Sequence, residues 1–227
     1  MKKFFSHTIM LMVVCAAVCS SAQAAAQTVQ ISRLAVMPLA EGMPAPAKEN
    51  TLSLLDCKET DLTSEGQTIN PGAGAIVTGC LQKAMEKELS DRVVPQNETA
   101  GAEELLAYMK KTASIKAHAL KLGAQVQASH IMAGTVRRYR ERKGTAYGAD
   151  LPASVAFSLY LLDVASGETV WSASFDKTQQ SLSENLLDAA GFFKHGAKWL
   201  TAEELTRWGA EDTAAKLKKF RGGADKQ

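Results

Sequence analysis

The sequence predicts an α/β protein with a single mixed β-sheet, an antiparallel three-strand meander and helices packed on the sheet. Apolar and polar residues alternate along Ser154–Asp163 and Glu168–Asp176, and a period of two is typical of strands. An apolar run at Ser32–Leu39 is followed by an amphipathic helical pattern at Ile76–Asp91. Because crossovers between strands are right-handed, this order favours parallel pairing of the first strands and antiparallel pairing of the later ones.

The segments between these patterns are less regular. Residues 40–75 are rich in Pro, Gly, Ala, Thr and Ser and predict a long loop. A loop of this length has a function, is disordered or is held in place by contacts with the rest of the fold. Arg92–Pro95 predicts a short strand that its proline limits. Ala102–Leu122 predicts a second helical region with a break near Thr112–Ser114, and Gly123 suits a C-terminal helix cap.

The meander and the helices after it have clear boundary signals. Its first strand is predicted at His130–Arg142, and Asp163–Gly167 predicts a tight hairpin turn because Gly accepts positive φ. Two sequences of the capping-box type predict helices at Leu182–Phe193 and Ala202–Phe220. We therefore expect one α/β domain over residues 25–220 and a polar tail at 221–227.

The first residues have the pattern of a secretory signal peptide. Lys2 and Lys3 precede an apolar run that is too short to span a bilayer as a helix. Ala22-Gln23-Ala24 then forms a small-x-small cleavage site, so residues 1–24 are predicted to be removed. This predicts an exported protein of the periplasm, with outer-membrane association as a further option.

Lipidation would decide whether the protein is anchored to a membrane. It needs a cysteine preceded by a small residue, but Cys15 and Cys19 each follow a valine. The sequence therefore disfavours a lipoprotein without excluding one, and membrane association is expected only if the chain is lipidated.

The charge balance and the cysteines limit the partners. Removal of residues 1–24 leaves 24 basic and 24 acidic residues, so nothing favours nucleic acid as a partner. Cys57 and Cys80 remain, and an even pair in an oxidising compartment favours a disulfide over two separate thiols. Such a bridge would stabilise the fold by roughly 3 kcal/mol.

No catalytic, metal or cofactor motif is found. Gly72-Ala-Gly74 and Lys143–Gly148 lack the spacing and the preceding strand of phosphate-binding loops. The histidines His118, His130 and His195 form no metal-ligand pair and are interpreted as structural residues. The acidic residues of the meander, which are Asp150, Asp163, Glu168 and Asp176, are explained by turns and strand ends.

One cluster of residues stands out as a candidate interaction surface at the end of the first meander strand. Alternation places Arg138, Arg140 and Arg142 on one face, and Arg137 and Tyr139 on the other. Lys143 and Tyr147 follow in the next loop. A basic, aromatic-edged strand end suits an acidic protein partner, an anionic glycan or lipid headgroups. The alternative is a solvated strand end whose charge prevents edge pairing.

Several segments together resemble a known class of bacterial envelope proteins. They are Leu34–Leu39, Ala117–Gly123, His130–Val136, and the hairpin pattern Leu-x-Asp-x-x-x-Gly-x-x-x-Trp that ends at Trp171. The class is CsgG-like and includes the curli secretion-channel lipoprotein and the lipoprotein activators of penicillin-binding proteins. Similar hairpins occur in the amino-terminal domain of TolB-like proteins.

The resemblance implies an α/β fold that acts through protein contacts, without catalysis and without a cofactor. We therefore expect a non-enzymatic envelope protein that regulates peptidoglycan synthesis or secretion, with a protein or peptidoglycan as partner. The rival hypothesis is a glycan- or small-ligand-binding protein whose site is lined by Tyr147, Tyr160 and the tryptophans. A third hypothesis is a hydrolase that uses Asp150 or His130.

Overall fold

The computed structural model describes residues 29–44, 54–63, 68–110, 113–179 and 198–222. Within these ranges the strands are β1 (Leu34–Val36), β2 (Ala40–Glu41), β3 (Met43–Pro44), β4 (Leu62–Thr63), β5 (His130–Arg140), β6 (Lys143–Gly144), β7 (Ala149–Leu151), β8 (Ser154–Asp163) and β9 (Thr169–Thr178). The α-helices are α1 (Ala73–Leu89), α2 (Gln96–Leu105), α3 (Ala107–Lys110), α4 (Ile115–Gln125) and α5 (Ala202–Arg221). The mixed sheet and its packed helices confirm the predicted fold class.

Strand β5 lies at the centre of the main sheet. On one side it pairs antiparallel with β8, which pairs antiparallel with β9. On the other side it pairs in parallel with three successive segments: β1, β2 and a bridge at Ile69. The predicted combination of parallel first strands and an antiparallel meander is therefore confirmed.

Pro38 divides the predicted first strand into β1 and β2. Its ring nitrogen has no hydrogen to donate to a ladder, so regular pairing is interrupted there. The neighbouring amides find other acceptors: Met37 donates to the Met132 carbonyl at 2.9 Å, and Leu39 donates to Thr78 Oγ1 at 3.0 Å. The second bond ties the strand region to α1, because Thr78 lies on that helix.

Helix α1 begins three residues before the predicted position, and its first turn lies against the strand region. The amide of Gly74 donates to Glu41 Oε1 at 2.8 Å, so a carboxylate accepts from an otherwise unpaired helix N-terminus. A Cβ at Gly74 would lie 2.5 Å from the Leu39 carbonyl oxygen. Gly74 therefore allows close packing, and Gly72 supplies the positive φ of 80° at the residue before the helix, which explains both glycines without a phosphate loop.

The two faces of the sheet are covered differently. One face packs against α1 and α5 and holds the larger cluster, with Phe157, Leu159 and Leu161 of β8 fully buried. The other face packs against α2 and α4, but this second cluster reaches only the β1 and β5 side and the Leu162 end of β8. The central part of β8 and β9 on that second face is therefore not covered by a described helix.

The middle of the long predicted loop is pinned by backbone pairing. Cys57 accepts a hydrogen bond from the Ile115 amide at 2.8 Å, and Lys58 forms a bridge with Ser114. Further along, Tyr139 of β5 donates to the Thr68 carbonyl at 2.8 Å. These non-local bonds hold a segment whose composition alone predicted irregular structure.

The expected disulfide between Cys57 and Cys80 is not formed. Cys57 lies beside the start of α4, whereas Cys80 packs against the cluster between α1 and α5 on the other face of the sheet. Burial raises the pKa of both thiols, so both remain protonated near neutral pH.

Two local predictions are also corrected. Arg92–Pro95 does not form a strand: Val93 only bridges to Leu34 at the edge of β1. Gly123 does not cap a helix but lies inside α4, where a Cβ would come within 2.7 Å of Val164 Cγ2. The helix ends instead at Gln125 with Val126 as its C-cap residue, and Gln127 adopts the left-handed conformation with φ of 54°. The break before Ser114 and the capping box at Thr201 are confirmed.

Some expectations fall outside the described residues. They are the signal peptide at 1–24, the lipidation positions Cys15 and Cys19, the helix at 182–193 and His195. Over the part of the chain that the structure describes, no helix has the length and apolar character needed to cross a membrane.

Gly134 tests the close packing of β5 against β8. A Cβ at this position would lie 2.1 Å from the backbone oxygen of Ser158, so Gly134→Ala forces the two strands apart. We expect a loss of about 3 kcal/mol in the free energy of unfolding, measured by urea denaturation. Gly79→Ala is the matched control, because the Cβ enters open space on α1 and should stabilise the helix by about 1 kcal/mol. Equal effects of the two substitutions would contradict this account of β5.

Candidate functional site

A β-bulge in β5 determines how the arginine cluster is displayed. Val136 pairs with Phe157, but Arg138 pairs with Ala156, so Arg137 is an extra residue in the strand. Val136 and Tyr139 therefore both point into the cluster beneath α1 and α5. Arg137 and Arg138 instead share the second face of the sheet, which corrects the simple alternation expected from the sequence.

Arg138 is held by a polar network across three strands. Its Nε donates to Ser154 Oγ at 2.6 Å, and its terminal nitrogen pairs with Asp176 of β9. Ser154 is fully buried and hydrogen-bonds Thr178 Oγ1 at 2.5 Å. Arg138 thus acts mainly as a cross-strand link, because its Nε and one terminal nitrogen are used within the protein.

Arg137 is placed differently. Its terminal nitrogen lies 3.6 Å from Asp176 Oδ2, which is an ion pair but too long for a hydrogen bond. Its Nε is buried and makes no hydrogen bond among the described residues. The guanidinium group is therefore half-buried, incompletely paired among the described residues, and lies along the part of the sheet face that no described helix covers.

Tyr139 and Glu141 fasten the end of β5 to the rest of the molecule. Tyr139 is buried, and burial with the nearby Glu141 raises its pKa to about 12, so its hydroxyl stays protonated. The Glu141 carboxylate accepts the amide of Ala202 at 3.1 Å from each of its oxygens. Since Ala202 begins α5, this carboxylate also interacts favourably with the helix dipole.

Of the remaining members of the cluster, Arg140 is the last residue of β5 and donates to the Pro152 carbonyl at 3.4 Å, and the others lie in or beside the β6–β7 hairpin. Arg142 donates to the Gly144 carbonyl at 3.3 Å and stays partly exposed, while Lys143 is exposed. Tyr147 in the hairpin loop is 90 % exposed. The hairpin thus presents an aromatic ring and a lysine to solvent, beyond the end of the main sheet.

An open groove lies on the part of β8 and β9 that no described helix covers. It has a volume of about 440 Å³ and is lined by Arg137, Ser158, Tyr160, Ser172, Ala173 and Ser174. The pairing explains this composition, because Ser158 lies opposite Ser174 and Tyr160 lies opposite Ser172. Arg137 and Tyr160 were already candidates in the sequence, whereas Ser158, Ser172, Ala173, Ser174 and Asp176 were not identified as a site, although their alternation along the strands was visible.

Of the aromatic residues of the rival ligand site, Tyr147, Tyr160, Trp171 and Trp208 do not converge. Tyr160 lies in the groove, but Tyr147 lies in the separate hairpin loop. Trp171 packs against Phe220 at 6.4 Å between ring centroids, and Trp208 packs against Phe175 at 5.9 Å. These tryptophans belong to the cluster beneath α5 on the opposite face of the sheet.

The described histidines are structural. His118 Nε2 lies 2.8 Å from Glu103 Oε2 and links α4 to α2. His130 is buried at the other end of β5, with Nδ1 3.0 Å from Ser129 Oγ and Nε2 3.7 Å from Asp163 Oδ2. Asp150 lies in β7 and is not brought to His130. The described residues also contain no group of three or more potential metal ligands.

His130 makes stability sensitive to acid. Burial lowers its pKa below 6.5 in spite of Asp163, so the unfolded chain binds this proton more readily than the folded protein. The free energy of unfolding should therefore fall as the pH drops below about 6.5. The pKa of Asp163 is lowered by the Ser166 amide, so a second loss follows as the pH falls through its range below 3.8.

Urea denaturation between pH 7.5 and pH 5 tests this assignment. His130→Gln removes the titrating group, so the variant should lose less stability than the wild-type protein over this interval. The two proteins are compared by the slope of stability with pH, which separates titration from any loss of packing. Identical slopes would show that His130 does not control the acid response.

These features define an α/β scaffold with a charged strand end, and its described residues contain no assembled catalytic set. The sequence pattern of one protein family, described as "Peptidoglycan-synthase activator LpoB", matches residues 59–175, which is just over half of the 227-residue chain. The chain therefore belongs to the LpoB family of peptidoglycan-synthase activators. The match begins before α1 and ends inside β9 at residue 175, so it includes β5 with its arginine end, β8 and most of β9.

The chain is also similar in fold to several solved structures. PelC from Paraburkholderia phytofirmans, a dodecamer, is 16 % identical, with 82 % of this chain and 87 % of that chain covered and a TM-score of 0.47. The LpoB C-terminal domain from Salmonella enterica is 12 % identical, with 67 % and 87 % covered and a TM-score of 0.40. Lipoprotein GNA1162 from Neisseria meningitidis is 18 % identical, with 72 % and 92 % covered and a TM-score of 0.37. No curated protein matches the chain.

The family match refines the resemblance inferred from the sequence. The expected class of bacterial envelope proteins, with activators of penicillin-binding proteins among its members, is confirmed in that general form. The more specific CsgG-like and TolB-like assignments are not shown by these comparisons. Membership in a family of activators agrees with the expected non-enzymatic role in the cell envelope.

Proposed function

We propose that this protein is a non-enzymatic activator of a peptidoglycan synthase and acts on the periplasmic side of the cell envelope. The observation that carries the proposal is the match of residues 59–175 to the synthase-activator family. The signal-like pattern at residues 1–24 supports the location, because a periplasmic activator must be exported. The partner on this proposal is a protein, and the chain contributes a binding surface.

The β6–β7 hairpin is the surface that we assign to this contact. Tyr147 is almost fully exposed, and Lys143 and the partly exposed Arg142 lie in the same hairpin region. Tyrosine and arginine are enriched in the energetically important parts of protein interfaces. Arg137 and Arg138 are less suited to this role, because their side chains lie along the face of the sheet and pair with Asp176.

The hairpin is attached to a rigid base. The Trp199 amide donates to the Ala146 carbonyl at 2.8 Å, which ties the loop to the segment that precedes α5. Within the loop, the amide of Gly148 donates to Thr145 Oγ1 at 3.1 Å. Loops that a rigid scaffold positions in this way commonly carry binding residues. The partner would then meet a largely preformed surface.

Tyr147→Ala tests the aromatic part of the surface. We expect the affinity for the synthase to fall about tenfold or more, since a buried tyrosine anchor contributes about 2 kcal/mol to an interface. The stimulation of glycan-chain polymerisation should require correspondingly more activator. Tyr108→Ala is the matched control, because Tyr108 is 71 % exposed on α3, away from the hairpin. Full activity of the Tyr147 variant would reject the hairpin as the contact.

Arg142 and Lys143 test the electrostatic part. The double substitution Arg142→Ala with Lys143→Ala should slow association and reduce the dependence of binding on salt. Arg207→Ala is the control, since this exposed arginine pairs with Glu203 on α5 at 3.1 Å. If the wild-type chain fails to stimulate any synthase of the envelope, the proposed function itself is rejected, whatever the variants do.

A further inference from the structure

The groove on the second face of the sheet has a composition that the proposed synthase contact does not use. Three serine hydroxyls, one tyrosine and one arginine line an open volume of about 440 Å³. Ser172 and Ser174 are exposed, while Ser158 and Tyr160 are half-buried. Sheet faces in contact with solvent commonly carry charged residues, but here short hydroxyl groups surround a single cation.

Two buried polar atoms at or beside this groove lack a hydrogen bond to any described residue. The buried Nε of Arg137 has no hydrogen-bond partner within the described residues. Next to it, Thr135 pairs in register with Ser158, and its hydroxyl is fully buried and likewise unbonded in the part of the chain that is described. Because buried polar groups are normally satisfied, the unbonded nitrogen of Arg137 at the groove wall is a place where water or a ligand completes the bonding, whereas the Thr135 hydroxyl is too deeply buried to meet a ligand in the groove.

The bulge gives Arg137 its position. Without the extra residue, Arg137 and Arg138 would point to opposite faces, and the groove would keep only one arginine. With the bulge, both arginines face Asp176. Arg138 hydrogen-bonds Oδ1 of Asp176, and Arg137 makes only an ion pair with Oδ2 at 3.6 Å. The Asp176 side chain is half exposed, so solvent weakens its attraction for Arg137. An incoming anion can therefore compete with Asp176 for the guanidinium group of Arg137.

We propose that this groove binds a carboxylated sugar. The guanidinium of Arg137 would receive the carboxylate, and Ser158, Ser172 and Ser174 would hydrogen-bond the ring hydroxyls and amide. The ring of Tyr160, which packs on the core at its base, offers the apolar surface against which a pyranose lies. A muramic-type acid of the cell wall and a uronic acid of a polysaccharide share this chemistry.

Titration of the full chain with soluble sugars, followed by amide NMR shifts and calorimetry, tests the site. The probes are N-acetylmuramic acid and glucuronic acid, with N-acetylglucosamine as the uncharged counterpart and acetate as a simple anion. We expect the sugar acids to shift the amides of β8 and β9 and to bind about tenfold more tightly than the neutral sugar. Preference between the two acids identifies the source of the natural ligand.

Substitutions of Arg137 and Asp176 should change the affinity for the sugar acid in opposite directions. Arg137→Gln should weaken binding of the sugar acid about tenfold, because a charge-assisted bond is lost. Asp176→Asn should strengthen it several-fold, because the competing carboxylate becomes neutral. Arg207→Gln on α5 is the control for a general change of charge. A merely structural role of Arg137 and Asp176 would make both variants bind more weakly.

The serines keep the test valid if the arginine variant unfolds. Ser172→Ala with Ser174→Ala changes two exposed side chains at the edge strand and should leave stability nearly unchanged while reducing affinity. Equal binding of acidic and neutral sugars, equal binding of acetate, or unchanged affinity in the serine variant would each overturn the proposal. The readout involves no synthase, so failure of this site and failure of the activator function are distinguishable.

Discussion

Strand β5 is the constraint on which the rest of the structure depends. It pairs with β8 on one side and with three short parallel segments on the other. Those segments come from regions of the chain with little regular structure of their own, and they are ordered by the edge that β5 offers. Gly134 makes this central position possible, since any side chain there would collide with the backbone of β8.

The meander could be predicted because its information is local. Alternation along Ser154–Asp163 places Phe157 and Leu161 on one face, and the structure buries both there. The turn at Gly167 and the cap at Thr201 depend on neighbouring residues alone, and both are confirmed. The pairing of residues 68–70 with β5 has no such local signal, because both partners read as ordinary polar sequence about 70 residues apart.

The position of the basic cluster could be predicted from the sequence, but the face of the sheet that each residue occupies could not. The cluster of basic residues is visible in the sequence, yet a bulge at Arg137 changes which face each arginine occupies. Nothing in the run of arginines marks the extra residue, since the bulge contains no glycine and arises from the register with β8. The groove was missed for a related reason. Ser158, Ser172 and Ser174 look like the solvent side of strands, and only the absence of a covering helix in the described fold makes them a surface.

The long sequence separation across β1 and β5 has a consequence for the order in which the molecule can be made. The amide of Arg33 bonds Ser129, 96 residues later, and β1 pairs with the residues that follow. A ribosome or an export channel releases the chain from its N-terminus, so β1 emerges as an apolar segment before its pairing partner β5. The β5–β8–β9 meander closes over short loops and can form as soon as it emerges. Because the chain is released from its N-terminus, β1 can pair only after β5 has emerged. A chaperone that binds β1 during this interval would raise the yield of folded protein.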